Sequence, residues 1–155
     1  MPFVIVEREE TLVAGLAVRS PKRALGEARD KALEKTWSTL LAQNVDRPLA
    51  SAYVDHAPEI NSYYTQIVGY ECSSIDQVGR GHLVSRIPAG TYAKFSSVGT
   101  FPDLFDALWG QIRDAEESQQ IQRSFTGDFE FYPHAFGIDL YVAIIVPPAT
   151  RQGQQ

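Results

Sequence analysis

The sequence predicts an α+β fold made of a duplicated strand-helix-strand-strand unit, with two helices packed on antiparallel sheets and a ligand cleft between the halves. Three observations carry that expectation. Two amphipathic helical stripes, near residues 21–42 and 100–117, each lie between runs of β-branched and aromatic residues. The order of elements repeats across a joint at Asp76–His82, which contains two glycines. Short matches recur at nearly constant spacing: Val13-Ala14-Gly15-Leu16 with Tyr92-Ala93-Lys94-Phe95, 79 positions on, and His56-Ala57 with His134-Ala135, 78 positions on. The second match sets Ala52 opposite Glu130 and Tyr53 opposite Phe131.

In the first half, Phe3–Val6 reads as a strand interrupted at Glu7–Glu10, and Thr11–Val18 as a second strand segment. Ser20 suits an N-cap and Pro21 the first helical position, opening a helix that ends before Arg47-Pro48. Its apolar stripe is Leu25, Ala28, Ala32, Trp37, Leu40 and Leu41. Leu49–Val54 and Ser62–Cys72 are strands around a turn at Asp55–Asn61. After a joint expected to be flexible, Leu83–Val98 is a strand broken at Pro88-Ala89-Gly90. Thr100 caps a second helix, lined by Leu104, Leu108, Ile112 and Ala115 and widened by Phe105 and Trp109. Gly127–Pro133 and Ile138–Val146 are the closing strands. One domain is expected over residues 1–148, with pseudo-repeats at about 1–75 and 83–148 and a disordered tail at 149–155.

Composition narrows the function. The chain has 155 residues, enough for one domain with a real core, and a net charge of −5 that does not attract phosphate backbones. Nucleic-acid binding is therefore not expected. Cys72 is the single cysteine, so no internal disulfide forms and a cytoplasmic location fits best. No apolar run approaches the roughly 20 residues of a membrane span, and Glu7–Glu10 breaks the opening segment before it resembles a signal peptide. His56, His82 and His134 lack metal-ligand spacing, and no nucleophile-base arrangement emerges, so neither metal nor cofactor is expected.

The most informative stretch is Gly127-Asp128-Phe129-Glu130-Phe131-Tyr132-Pro133. Strand alternation puts Glu130 on one face with Asp128 and Tyr132, and turns Phe129 and Phe131 to the other as anchors. Glu130 is then either an edge-strand acid in water or a sheltered carboxylate whose positive partner comes from outside. Asp128 is either half of an acid pair with it or a turn residue beside Gly127. The aromatic residues singled out as walls around Glu130 are Tyr92, Tyr132, Trp109 and Tyr53, with Tyr64 behind them. Trp37 is assigned to the core.

With these elements in hand, the chain resembles the GyrI-like effector-binding domain, the ligand-sensing module of AraC- and MerR-type regulators. The resemblance rests on Ile87-Pro88-Ala89-Gly90-Thr91-Tyr92-Ala93-Lys94-Phe95, Gly99-Thr100-Phe101, Leu108-Trp109, Phe129-Glu130-Phe131-Tyr132 and a last strand running into Pro147. Gly99-Thr100-Phe101 departs from the family's more usual Gly-Pro-Tyr. The resemblance implies a pocket for lipophilic or amphipathic organic cations, with Glu130 as the charge partner. It also implies a stand-alone sensor or sequestering protein, since Met1 opens directly onto the first strand. Two alternatives come with the same resemblance: a hydrolase of strained electrophiles using Glu130 as general base, and a gyrase-inhibitor-like protein-interaction role.

Overall fold

The computed structural model describes residues 3–20, 27–43, 45–54, 64–100, 103–133 and 136–146. The expected helix start at Pro21, the turn with His56, the turn with His134 and the tail after Pro148 lie outside these residues. The elements are β1 (Phe3–Arg8), β2 (Thr11–Ser20), α1 (Glu27–Leu41), β3 (Leu49–Val54), β4 (Tyr64–Cys72), β5 (Leu83–Ile87), β6 (Gly90–Val98), α2 (Asp103–Glu117), β7 (Asp128–Phe131) and β8 (Gly137–Ala143). The fold is α+β, as the sequence predicts. Two details differ. The interrupted first strand and the strand broken at Pro88 are each two separate strands, so each half reads strand-strand-helix-strand-strand. The halves also share one antiparallel sheet, because β3 pairs directly with β7.

The strand order is β1-β6-β8-β7-β3-β4-β2-β5. Exchanging the first four strands for the last four returns the same order read backwards, so the topology has a pseudo-twofold axis between β7 and β3. The register fixes where that axis falls. From the end of β1 to the end of β5 is 79 positions (8 to 87), and so is the step from the start of β2 to the start of β6 (11 to 90). The same spacing carries Ser51 to Glu130, and these two residues face each other across the β3–β7 pair. The axis therefore runs through the Ser51–Glu130 pair, and Ser51, not Ala52, is the counterpart of the acid. Tyr53 is likewise the counterpart of Tyr132.

Connectivity forces the sheet to curl. β1 and β2 stand six strand intervals apart, as do β5 and β6, which in a flat sheet is about 29 Å. Their connections are only Glu9-Glu10 and Pro88-Ala89, which reach about 11 Å at full stretch. The ends of the sheet must approach each other, and the face without helices is rolled inward. Val13, Ala52, Ile67, Ile87, Tyr92, Phe129 and Tyr141 fill that concave side. Phe129 is fully buried and Phe131 partly so, as alternation predicts. A resident cation already serves this side: the Arg8 guanidinium lies 4.7 Å from the Tyr141 ring centre and 5.4 Å from that of Phe129.

Both helices lie on the convex face. α2 packs over β6 and β8 through Leu104, Leu108, Ile112 and Ala115, the stripe its sequence predicts. The side chain of Phe105 lies outside the described residues. α1 packs over β2 and β4, but through Trp37 and the buried Leu40. Ala32 and Leu41 are exposed, which corrects the predicted α1 stripe. The joint at Asp76–His82, expected to be flexible, carries hydrogen bonds: Gly79 N–H donates to the Tyr70 hydroxyl at 2.8 Å, and that hydroxyl donates to His82 Nδ1 at 2.6 Å. His82 Nε2–H then donates to the Gln43 side-chain oxygen at 2.6 Å, tying the joint to the end of α1.

Gly15 and Gly69 face each other across β2 and β4 on the concave side. A Cβ on Gly69 would stand 1.7 Å from the Ala14 carbonyl oxygen, and one on Gly15 would stand 2.1 Å from that of Val68. Both obstacles are backbone. Gly69→Ala is expected to lower stability by on the order of 3 kcal/mol in urea unfolding, through overpacking that cannot relax. Gly110→Ala, in the middle of α2 with open space around its Cβ, is expected to raise it by about 1 kcal/mol.

Candidate functional site

The two central strands are the ones that neither helix principally covers. α1 sits over β2 and β4, α2 over β6 and β8, and the seam between them leaves the convex face of β3 and β7 without a helix of its own. The pairing of Ser51 with Glu130 and Tyr53 with Asp128 sets all four on that face. β4 adds Gln66, opposite Tyr53. Side chains rather than a helix close the seam. Trp37, from α1, meets Tyr132 edge-on at 5.5 Å, and Trp109, from α2, meets Tyr53 edge-on at 5.6 Å. The two tryptophans and Tyr132 are half-buried, while Tyr53 is buried.

Glu130 lies beneath these rings at 1% exposure. Its Oε1 accepts the Tyr53 hydroxyl at 3.0 Å and also the Tyr132 hydroxyl. The two phenols, related by the pseudo-twofold axis, thus converge on one oxygen. Oε2 is buried with no hydrogen-bond partner. Burial pushes the carboxyl up to about 7, against the opposing effect of the two phenol hydrogen bonds. Burial also raises the Tyr132 phenol far above its usual range, with the Glu130 charge adding to it, so that hydroxyl keeps its proton. No Lys or Arg forms an ion pair with Glu130 among the described residues.

Asp128, two residues away, has the opposite solution. Fully buried, it pairs with Arg123 at 2.5 Å and accepts the Ala143 backbone N–H at 2.9 Å. It is neither a turn residue nor an acid partner of Glu130. Arg123 also approaches Glu116 at 3.8 Å and lies 5.4 Å from the Trp109 ring. That indole is therefore held between a guanidinium and Tyr53.

Four of the residues singled out from sequence come together here: Glu130, Tyr53, Tyr132 and Trp109. Tyr92 does not. Ala93 is the residue of β6 that faces α2, so Tyr92 points to the concave side, where it packs against Phe129 at 5.4 Å and donates to the Pro88 carbonyl. The backbone of Tyr64 opens β4, and its side chain lies outside the described residues. Sequence reasoning missed Trp37, Ser51 and Gln66. Trp37 was legible only as part of an apolar stripe. Ser51 and Gln66 carry no local signal, since their place depends on the pairing of β3 with β4 and β7. Among the described residues no group of His, Cys, Asp and Glu is arranged to hold a metal ion. Among them, too, no helix is long and apolar enough to cross a membrane.

Comparison with known proteins gives this geometry a setting. The profile of the Cass2 family, integron-associated effector binding protein, matches residues 4–144. A search of curated protein sequences found no match. Among solved structures, the integron cassette protein VCH_CASS2 from Vibrio cholerae is similar with a TM-score of 0.79 at 18% identity, over 93% of this chain and 96% of that one. SAV2435, solved bound to tetraphenylphosphonium, has a TM-score of 0.71 at 10% identity, over 94% of each chain. The C-terminal domain of EcmrR has a TM-score of 0.58 at 10% identity, over 95% of this chain and all of the other. The structural likenesses establish a shared GyrI-like fold, and the profile match spans nearly the whole sequence. On that ground the chain belongs to the integron-associated effector binding proteins of the Cass2 family.

Proposed function

We propose that this effector-binding protein takes amphipathic organic cations into the seam between α1 and α2, with Glu130 as their charge partner. The observation that carries the reading is the buried Glu130 Oε2, which no group of the described protein satisfies. An unpaired carboxylate in such a place costs several kcal/mol, and the chain's nearby guanidinium is committed to Asp128. A cation about 4 Å away recovers roughly 4 kcal/mol at an effective dielectric near 20. Each aromatic face it meets adds about 0.5–2 kcal/mol. After association costs, a dissociation constant around 1 μM, roughly −8 kcal/mol, is expected. The aromatic cover suits ligands of varied shape, because edge-on rings can part without moving a helix. SAV2435, with its phosphonium ligand, supports the reading by analogy of fold. The protein then serves as a sensor or sequestering module for such compounds.

Trp37 and Trp109 are the only tryptophans, and both flank the acid, so the intrinsic emission reports on this site. Titration with 4-phenylbutylammonium is expected to change it saturably. Glu130→Gln, which keeps shape and removes charge, is expected to weaken binding about 100-fold, most of the roughly 4 kcal/mol of the charge pair. A variant that binds as tightly as the parent would sink the proposal.

The raised carboxyl gives the site a pH dependence of definite sign. Binding a cation requires the ionised form, so affinity should rise with pH and level off above about 7. At pH 5 it should be about 100-fold weaker, a tenfold loss for each unit below the midpoint. Stability runs the other way. A carboxyl whose folded pKa is raised contributes stability that is complete below its ordinary value and is lost as pH rises through about 7. The loss is on the order of 3 kcal/mol between those limits. Urea unfolding without ligand at pH 4.5 and pH 8 should show this loss in the parent and not in Glu130→Gln.

A further inference from the structure

Glu130 sits at the end of a network of hydrogen bonds that runs in from β3 and β4. Gln66 Nε2 donates to Ser51 Oγ at 3.3 Å and to the Tyr53 hydroxyl at 3.4 Å. The Tyr53 and Tyr132 hydroxyls both donate to Glu130 Oε1. The Tyr53 hydroxyl has one proton, and Glu130 takes it. Turning the Gln66 amide over would aim its carbonyl at that oxygen, which has no proton left to give.

The network uses the donors and leaves acceptors over. Glu130 Oε2 and Gln66 Oε1 are both buried without a hydrogen-bond partner. They belong to residues that share the Tyr53 hydroxyl, so the two lie in one neighbourhood. A buried acceptor with no donor carries a penalty that only a donor removes. Apolar surface and positive charge spread over alkyl or aryl groups do not meet that need.

Building on the cation-binding reading above, we infer that the site selects cations carrying N–H donors, such as protonated amines and amidinium groups, over fully substituted onium ions. One N–H of such a ligand reaches Glu130 Oε2 as a charge-assisted bond, and a second is available to Gln66 Oε1. A site that hydrogen-bonds its ligand rejects an analogue lacking the donor far more strongly than one that recognises only apolar bulk. Gln66 is then a specificity residue by its free oxygen, and Ser51 a positioning residue that holds the amide.

The test compares 4-phenylbutylammonium with its N,N,N-trimethyl counterpart by isothermal titration calorimetry at pH 8, where Glu130 is ionised and the primary amine keeps its proton. The primary ammonium is expected to bind at least tenfold tighter, about 1.4 kcal/mol, although three methyl groups favour the rival. Gln66→Met, which keeps the length and removes the amide, is expected to bring the ratio to threefold or less. Should the trimethyl compound bind equally or better, the inference falls while cation binding stands. Should neither compound bind, the cation-binding reading itself falls and takes the inference with it. Should Gln66→Met unfold, as circular dichroism would show, the ratio in the parent protein decides alone.

Discussion

The pairing of β3 with β7 is the constraint on which the rest of the structure depends. It joins the halves into one sheet, and it places that junction between the two helices rather than under either. A helix about 10 Å across covers only two strands of a sheet with about 4.8 Å spacing. Two helices, each centred on the two middle strands of its half, therefore leave β3 and β7, where the halves meet, without a helix over them. Aromatic side chains from both helices and both strands fill that gap. A covering made of side chains can open at the cost of a few rotamers, whereas the concave face, closed by the curl of the sheet, cannot.

Asp128 and Glu130 show how the same residue class, two positions apart on one face, is put to opposite uses. Asp128 is neutralised by Arg123 and held by a backbone N–H, and that ion pair also braces Trp109 through the stacked guanidinium. Glu130 receives only neutral phenols, both on one oxygen. Phenol hydrogen bonds moderate the burial of a charge but do not cancel it, which is why its carboxyl stays raised rather than depressed. The free protein thus forgoes stability at Glu130, which under the proposed function a bound cation restores.

What the sequence makes legible follows from how far each signal reaches along the chain. Alternation within one strand is local, so the shared face of Asp128, Glu130 and Tyr132 and the opposite face of Phe129 could be read directly. The stripe of α2 was equally local. Tyr92 was misplaced because its face depends on the register of β6 against β8, which no stretch of sequence states. Ser51 and Gln66 stayed invisible for the same reason: a serine and a glutamine in strands signal nothing until two pairings bring them beside the acid. The partner of Asp128 came from Arg123, in the loop before β7. The α1 stripe differs in that Ala32 and Leu41 face solvent, while Trp37 and Leu40 pack on β2 and β4.

The pseudo-twofold axis accounts for why only one half carries an acid. A site on such an axis receives matching groups from both halves, and the two phenols, Tyr53 and Tyr132, are that matched pair. The axial position itself cannot be matched in charge. Residues directly opposite across an antiparallel pair have Cβ atoms about 5 Å apart. A second glutamate in place of Ser51 would face Glu130 at that distance in a buried site, and the two would share one proton instead of ionising together. One net charge would remain, with a resident proton competing against the ligand. Serine avoids that competition and accepts the Gln66 amide instead. The two phenols are therefore paired and the charge is single, which is the arrangement that the proposed binding of one cation requires.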